Sequence, residues 1–235
     1  MNSLNAAEKV NRTLKKESNP ETDVASKPPK GKIRENVEAL AIAIILALFI
    51  RAFVVQAFKI PSGSMQNTLL IGDYILVNKF IYGVKIPFTD ITVIPVKEPK
   101  KGDIIVFKFP GDPSKDFIKR VVAVGGDTVE IREKQVYVNG KPEVNKHAIH
   151  SDYRIFDDPH LYPPEMLKRD NMAPLTVPQD KLFVMGDNRD ESNDSRFWGL
   201  VDDSAVRGKA FIIYWSWNGH KKLGLRWDRL GDLIK

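Results

Sequence analysis

The sequence contains one apolar block that divides the chain into parts with different surroundings. Residues 39–50 are all apolar, and Arg51 is the first charged residue after them. As a helix, residues 37–58 would be about 33 Å long, enough to cross a bilayer if Arg51 reaches an interface. The pattern predicts a single transmembrane anchor over residues 37–58. A cleaved signal peptide and a buried helix are the alternative interpretations.

Charge is distributed unevenly around this block. The chain has 36 Lys and Arg against 30 Asp and Glu, a net charge of +6. Residues 1–36 carry eight basic and five acidic side chains, and residues 206–235 carry seven and two. The body between them is slightly acidic, whereas a nucleic-acid-binding domain needs a basic face on its folded body. The composition therefore excludes nucleic acid as a partner.

The tail before the block has its own composition. It is rich in Lys, Asn, Ser and Pro and has no apolar periodicity, so residues 1–36 are predicted to be a disordered basic tail. Four basic residues precede the apolar block closely, which predicts a cytoplasmic N-terminus by the positive-inside rule. Residues 59–235 would then be extracytoplasmic.

Seven short segments after the block alternate apolar and polar residues and are separated by Gly, Asp and Asn turn formers. They are residues 74–80, 104–109, 117–124, 128–132, 135–138, 182–185 and 210–216. We predict a mainly β fold over residues 59–235, an antiparallel sheet forming a partly open barrel or a sandwich, behind the transmembrane helix. The proline-rich residues 141–178 break the pattern and are predicted to form an inserted loop or small subdomain.

A serine in a glycine and proline setting follows the apolar block directly. Residues 61–65 read Pro-Ser-Gly-Ser-Met, and Gly63 leaves the backbone beside Ser64 open to an approaching carbonyl group. The same composition is typical of an ordinary turn. A catalytic role for Ser64 therefore depends on a base elsewhere in the chain.

Histidine is the usual base for a serine nucleophile, but none of the four histidines lies in a predicted strand. His147 and His150 could share a helical turn, yet no third ligand follows at the spacing of a zinc site. The chain has no cysteine, which excludes a thiol nucleophile and a cysteine-bound metal. No metal and no cofactor are predicted.

Lysine can act as the base when burial lowers its pKa. Lys79, Lys108 and Lys119 each lie beside apolar residues in or next to a predicted strand, which is also typical of a lysine whose amine reaches solvent. Spacing alone does not choose among the three.

Residues 186–196 form a dense run of charged and polar side chains after a predicted strand. A calcium loop is one interpretation, but the run has no glycine at its sixth position, where an EF-hand turn needs one. Its two arginines among carboxylates favour an internally hydrogen-bonded loop that supports a site.

Five blocks of the sequence, in this order and spacing, resemble bacterial type I signal peptidase. They are IPSGSM at 60–65, IGDYILVNKF at 71–80, KGDIIVFKFP at 101–110, DFIKRVVAVGGD at 116–127 and GDNRDESNDSRFWG at 186–199. The resemblance covers residues 53–139 and 180–232. It implies a serine endopeptidase that cleaves signal peptides from exported precursor proteins after small residues, without a cofactor. The implied location is the bacterial cytoplasmic (inner) membrane, with lipids as partners.

The resemblance also implies site residues. Ser64 would be the nucleophile and Lys119 the general base. Ser62 and the Ser64 amide would form the oxyanion hole, Ser192 would orient the Lys119 amine, and Asp194 and Arg196 would be a supporting ion pair. The implied substrate-binding residues are Phe58, Ile60, Met65, Leu69, Ile75, Val106, Asp116 and Ile118.

Two other functional classes fit parts of the pattern. A non-catalytic β-domain could bind exported peptides, with Ser64 and Lys119 as structural residues. A self-cleaving Ser/Lys repressor would need a DNA-binding helix pair before the β-domain, and residues 1–58 provide only a tail and an apolar block.

Overall fold

The computed structural model describes residues 32–85, 92–94, 96–219 and 224–235. Most of the predicted basic tail, residues 1–31, lies outside the described residues, as does His220. The chain divides into two compact units, Met1–Ala43 and Ile44–Lys235. The elements named below belong to the described residues.

The described structure contains three α-helices, three short 3₁₀ helices (Phe80–Tyr82, Asp203–Ala205 and Trp227–Arg229) and thirteen strands. The α-helices are α1 (Lys32–Phe53), α2 (Pro164–Asp170) and α3 (Ser195–Trp198). The strands are β1 (Val55–Lys59), β2 (Asp73–Asn78), β3 (Val84–Lys85), β4 (Thr92–Ile94), β5 (Ile104–Phe109), β6 (Asp112–Ala123), β7 (Thr128–Arg132), β8 (Gln135–Val138), β9 (Lys141–Pro142), β10 (Met172–Thr176), β11 (Lys181–Met185), β12 (Val201–Asp202) and β13 (Val206–Ser216).

The N-terminal helix lies five residues earlier in the chain than the sequence predicts, with the same length of 22 residues, so it includes residues 32–36 of the predicted disordered tail. α1 ends at Phe53, and Val55–Lys59 forms β1, which pairs antiparallel with β2. The prediction of a helix to residue 58 is therefore wrong. The backbone groups of β1 bond to the edge of β2, and the β-branched Val54 and Val55 favour an extended chain at the switch. Among the described helices, none is both long enough and apolar enough to cross a membrane.

An antiparallel sheet of seven strands carries most of the fold. Its order is β1-β2-β13-β5-β6-β11-β12. The order has two ends, so the described strands form an open sheet and no closed barrel. A smaller sheet, β10-β7-β8-β9, takes β9 and β10 from the proline-rich residues 141–178. The prediction of a mainly antiparallel β domain is confirmed.

All seven predicted strands are present, but two begin four or five residues earlier than their apolar alternation indicates. β6 begins at Asp112 and β13 at Val206. Both extensions pair with β5. Asp116 of β6 lies opposite Lys108 of β5, and Val206 of β13 lies opposite Phe107 of β5. Pairing with a central strand satisfies their backbone groups, which an alternation pattern within one segment cannot indicate.

Gly72 holds the turn before β2 against the end of β13. Its φ is +90°, and a Cβ built there would lie 2.0 Å from the Trp217 carbonyl oxygen. Gly102 has nearly the same φ, +89°, with no atom within 4 Å of its Cβ position. The two glycines therefore separate the cost of the backbone conformation from the cost of a clash.

We expect Gly102→Ala to lower the free energy of unfolding by about 1–2 kcal/mol, the cost of a side chain in this conformation. Gly72→Ala should lose about 1–3 kcal/mol more, because the added methyl group overlaps the Trp217 carbonyl. Urea unfolding of both variants and the parent measures the difference. Equal losses would mean that the Trp217 backbone moves aside at no cost.

Candidate active site

Ser64 and Lys119, 55 residues apart in sequence, meet in a buried contact. Lys119 Nζ donates a hydrogen bond to Ser64 Oγ at 2.7 Å. Ser64 is 8% exposed and Lys119 is 4% exposed. Of the three lysines left open by the sequence pattern, Lys119 is the one that the fold brings to this serine.

The strand pairing explains why Lys119 is buried. It lies in β6 opposite Ile105 of β5, and Ile105 is fully buried in the core. Its amine is 5.6 Å from the centre of the Phe117 ring. An ammonium group in such surroundings loses hydration, so the charged form is disfavoured.

Burial lowers the pKa of Lys119 from 10.5 to about 8. The neighbouring Asp194 and Asp187 carboxylates oppose this shift, and the Arg196 guanidinium adds to it. At this pKa a useful fraction of the amine is neutral near pH 8, so Lys119 can accept a proton from the Ser64 hydroxyl.

The backbone of Ser64 is held against the loop that follows β11. Its carbonyl accepts a hydrogen bond from the Asn188 amide at 3.1 Å. A Cβ on Gly186 would lie 2.4 Å from the Ser64 carbonyl oxygen and 2.3 Å from Ser192 Oγ, so only glycine fits there. Within the described part of the chain the Ser64 amide donates to no acceptor and stays available to a ligand.

The loop of residues 186–196 is internally bonded, as its charge pattern predicts. The Gly186 amide donates to both Ser192 Oγ and Asp194 Oδ2, each at 3.1 Å. Asp194 is fully buried and binds Arg196 through two hydrogen bonds, to Nε and Nη2, both of 2.9 Å. The described side chains show no hydrogen bond from Ser192 to the Lys119 amine; the bond of the Ser192 hydroxyl is to Gly186.

A second buried ion pair lies beside the first, and the sequence did not indicate it. Arg120 donates to both carboxylate oxygens of Asp187 at 2.8 Å, and Thr68 Oγ1 also donates to Asp187. The one available sequence signal was Arg120 itself, a charged residue on the same predicted strand face as the apolar Ile118 and Val122. Its partner, 67 residues later, is visible only in the folded chain.

The residues implied for substrate binding fall into two groups. Seven belong to one apolar cluster beside Ser64: Phe58, Ile60, Met65, Leu69, Ile75, Val106 and Ile118. Asp116 lies outside this cluster on an exposed part of β6, where its carboxylate accepts a hydrogen bond from Arg207 Nε at 3.4 Å. Ser62, two residues before Ser64, is exposed.

Among the described hydrogen bonds, none joins a histidine side chain to Ser64 or Lys119. His150 Nδ1 is 3.6 Å from an Asp190 carboxylate oxygen, and burial lowers the pKa of both His147 and His150. Among the described residues no group of three or more His, Cys, Asp or Glu side chains could hold a metal ion.

Known proteins match this chain over most of its length. The family described as "Signal peptidase, peptidase S26" matches residues 33–215. Signal peptidase I of Pseudomonas aeruginosa is 40% identical over 213 residues, which cover 80% of this chain and 75% of that protein. Signal peptidase I of Aquifex aeolicus is 36% identical over 229 residues, covering 78% of this chain and 85% of that protein.

The lowered pKa of Lys119 predicts how stability varies with pH. Below about pH 8 the amine is protonated in the folded and unfolded states, so the folded state carries the full cost of a buried charge. Between pH 8 and 10.5 the folded state releases its proton first, and the parent gains stability on the order of 3 kcal/mol. Lys119→Met lacks this gain.

We therefore expect the stability of Lys119→Met, relative to the parent, to fall on the order of 3 kcal/mol from pH 7 to pH 10.5. Urea unfolding at both pH values measures it. Lys181→Met is the control for loss of one positive charge, since Lys181 is half-exposed and paired with Asp202. A pH-independent difference for Lys119→Met would contradict a lowered Lys119 pKa.

Proposed function

The chain belongs to the signal peptidase family, peptidase S26, and is a signal peptidase I hydrolase, from which we propose that Ser64 and Lys119 form its catalytic dyad. As a serine peptidase of this family it removes signal peptides from precursor proteins. The observation that carries the proposal is the 2.7 Å contact between the Lys119 amine and the Ser64 hydroxyl.

In the proposed reaction the neutral Lys119 amine takes the proton of Ser64 Oγ as Oγ attacks the carbonyl carbon of the scissile bond. The Ser64 amide and the Ser62 hydroxyl donate hydrogen bonds to the oxygen that becomes negative. The Lys119 ammonium then protonates the leaving amine, and the C–N bond breaks to leave an acyl-enzyme ester on Ser64. Lys119 next deprotonates a water molecule, whose oxygen attacks the ester carbonyl carbon. The Lys119 ammonium then returns the proton to Ser64 Oγ as the ester C–O bond breaks, which releases the signal peptide and restores both residues.

The charged neighbours of Lys119 support its role as base. Each carboxylate near it is bound by an arginine, Asp194 by Arg196 and Asp187 by Arg120. Burial has the largest effect on the amine and keeps its pKa low, and the Arg196 guanidinium adds to this lowering against the two carboxylates. Ser192 would act on the amine only through Gly186 and Asp194 in this arrangement.

The pairing of β6 suggests how a precursor binds. β11 pairs with β6 only between Arg120 and Ala123. Within the described chain, residues 112–119 of β6 therefore have no strand on that side, and an extended peptide can pair with this edge next to Lys119. Alternate side chains of the peptide would face the apolar cluster of Ile60, Met65 and Val106, which accommodates the small residues that precede the cut.

We further propose that α1 contributes the apolar part of an anchor in the bacterial cytoplasmic membrane, with the N-terminus in the cytoplasm and the β domain outside, although α1 by itself does not have the length and apolarity of a span. Large apolar side chains are exposed around α1, among them Leu40 at 61%, Ile45 at 67% and Leu48 at 61%. A continuous apolar surface of this kind is stabilised by lipid rather than by water. The basic residues before it favour a cytoplasmic N-terminus.

We expect Ser64→Ala and Lys119→Ala each to reduce precursor cleavage by about 10⁴-fold or more, because nucleophile and base act as a unit. The measurement is the initial cleavage rate of a signal-peptide-bearing precursor by detergent-solubilised full-length protein. Far-UV circular dichroism shows whether each variant is folded.

Lys108→Ala and Lys79→Ala are the matched lysine controls and should retain most of the activity. Near-parental turnover by folded Ser64→Ala or Lys119→Ala would rule out the dyad. Absence of cleavage by the folded parent protein in the same assay would favour instead a domain that binds exported peptides without cleaving them.

The anchor is tested by extracting bacterial membranes with alkaline carbonate, which removes peripheral proteins. We expect the full-length chain to stay in the membrane fraction. The double variant Ile44→Lys/Ile45→Lys should be released, because each lysine near the centre of the apolar block costs about 3 kcal/mol on insertion. Ile71→Lys, which replaces an exposed apolar residue outside α1, is the control and should stay. Release of the parent chain from the membrane fraction would contradict the anchor proposal.

A further inference from the structure

An ion-pair cluster joins the proline-rich residues 141–178 to the loop of residues 186–196. It consists of Lys134, Asp152, Arg169, Asp170 and Asp190, called here the insert cluster. Lys134 Nζ lies 2.7 Å from Asp190 Oδ1 and 3.5 Å from Asp170 Oδ1. The Asp170 and Asp190 side chains are 0% and 2% exposed. Carboxylates buried this deeply stay charged only where cations and hydrogen-bond donors hold them.

Arg169 is the most constrained member of the insert cluster. Its Nε and Nη2 each donate to one carboxylate oxygen of Asp170 at 2.9 Å. Nη1 donates to Asp152 Oδ2 at 3.1 Å, and the guanidinium carbon lies 4.0 Å from the centre of the Phe156 ring. A planar guanidinium held by two carboxylates and a ring has one position. This fixes the last turn of α2, to which Arg169 belongs.

The backbone carbonyl of Arg169 connects this fixed turn of α2 to the candidate active site. Its carbonyl oxygen accepts a hydrogen bond from Arg196 Nη1 at 2.9 Å. Arg196 holds Asp194 through its other donors, and Asp194 accepts from the Gly186 amide. Gly186 lies so close to the Ser64 carbonyl that no side chain fits between them, and the nearby Asn188 amide donates a hydrogen bond to that carbonyl. A continuous series of contacts thus runs from Arg169 to the serine.

We propose that Arg169, with Asp152 and Lys134 as its supports, is a positioning residue of the reaction: it fixes the carbonyl that keeps Arg196 on Asp194 beside the Lys119 amine. The inference rests on the proposed Ser64 and Lys119 dyad. It gives the proline-rich segment a part in catalysis, although none of its residues touches the reacting atoms.

The consequence for catalysis follows from the charges around Lys119. Asp194 and Asp187 raise its pKa, Arg196 lowers it, and Asp187 is itself bound by Arg120. If Arg196 loses its bond to the Arg169 carbonyl and moves, its positive charge offsets Asp194 less. The Lys119 pKa then rises, a smaller fraction of the amine is neutral, and the acidic limb of the rate profile moves to higher pH.

The test is Arg169→Lys, which keeps the positive charge and removes the forked geometry. Arg132→Lys is the matched control, because Arg132 also lies 4.0 Å from a ring centre, that of Tyr137, and is also paired with a carboxylate, Glu130. Arg132 is 57% exposed and takes no part in the series of contacts. The measurement is kcat/KM for a precursor as a function of pH, with full-length protein.

We expect the acidic limb of Arg169→Lys to move up by about half to one pH unit, and that of Arg132→Lys to stay at the parental position. A folded Arg169→Lys with a parental limb would overturn the proposal and leave the insert cluster a purely structural feature.

Asp152→Asn is the second variant and decides the matter if Arg169→Lys does not fold. Removal of a negative charge would by itself lower the Lys119 pKa, whereas loosening of Arg169 raises it. An upward shift of the limb supports the positioning role, and a downward or absent shift overturns it. Ser64→Ala and Lys119→Ala are assayed alongside. Their activity tests the dyad itself, so loss of the dyad and loss of the positioning role give different results.

Discussion

The structure depends on one unfavourable arrangement, a lysine amine buried against a serine hydroxyl. In water the Lys119 side chain would be an ammonium ion and could not accept a proton from a neighbouring hydroxyl. Enclosed by β5, β6 and the Phe117 ring, the amine loses hydration and its pKa falls to about 8. The same removal of water that costs folding free energy gives the side chain its basicity. Stability and reactivity at this position therefore oppose each other.

The surroundings of the dyad limit this cost without cancelling its effect. Two carboxylates that would stabilise an ammonium, Asp187 and Asp194, are each held by an arginine through two hydrogen bonds. Buried pairs of this kind contribute little net stability but have well-defined geometry. Gly186 lets the loop approach the Ser64 carbonyl closely. The result is a site whose charges are nearly balanced and whose atoms have little freedom to move.

The open side of the sheet complements this rigid centre. β11 leaves β6 at Arg120, one residue after the proposed base, so the unpaired strand edge begins where the dyad lies. Unpaired edges usually invite aggregation and are covered or blocked. Here the edge lies next to an apolar cluster and Ser64, the proposed nucleophile, an arrangement suited to an extended peptide. The proline-rich segment supports the loop of residues 186–196 through α2, because the Arg169 carbonyl accepts a hydrogen bond from Arg196.

The sequence by itself determined the β character of the domain, because alternation and turn residues act over a few neighbouring positions. Its five blocks also determined the family, and with it the choice of Lys119. Alternation alone could not separate Lys119 from Lys79 and Lys108, since each looks the same within its own strand. Only the tertiary structure decided that the helix ends at Phe53, that Arg120 meets Asp187, and that Arg169 reaches Arg196. Each of these depends on groups far apart in the chain, whose backbone and charge requirements can be satisfied only after folding brings them together.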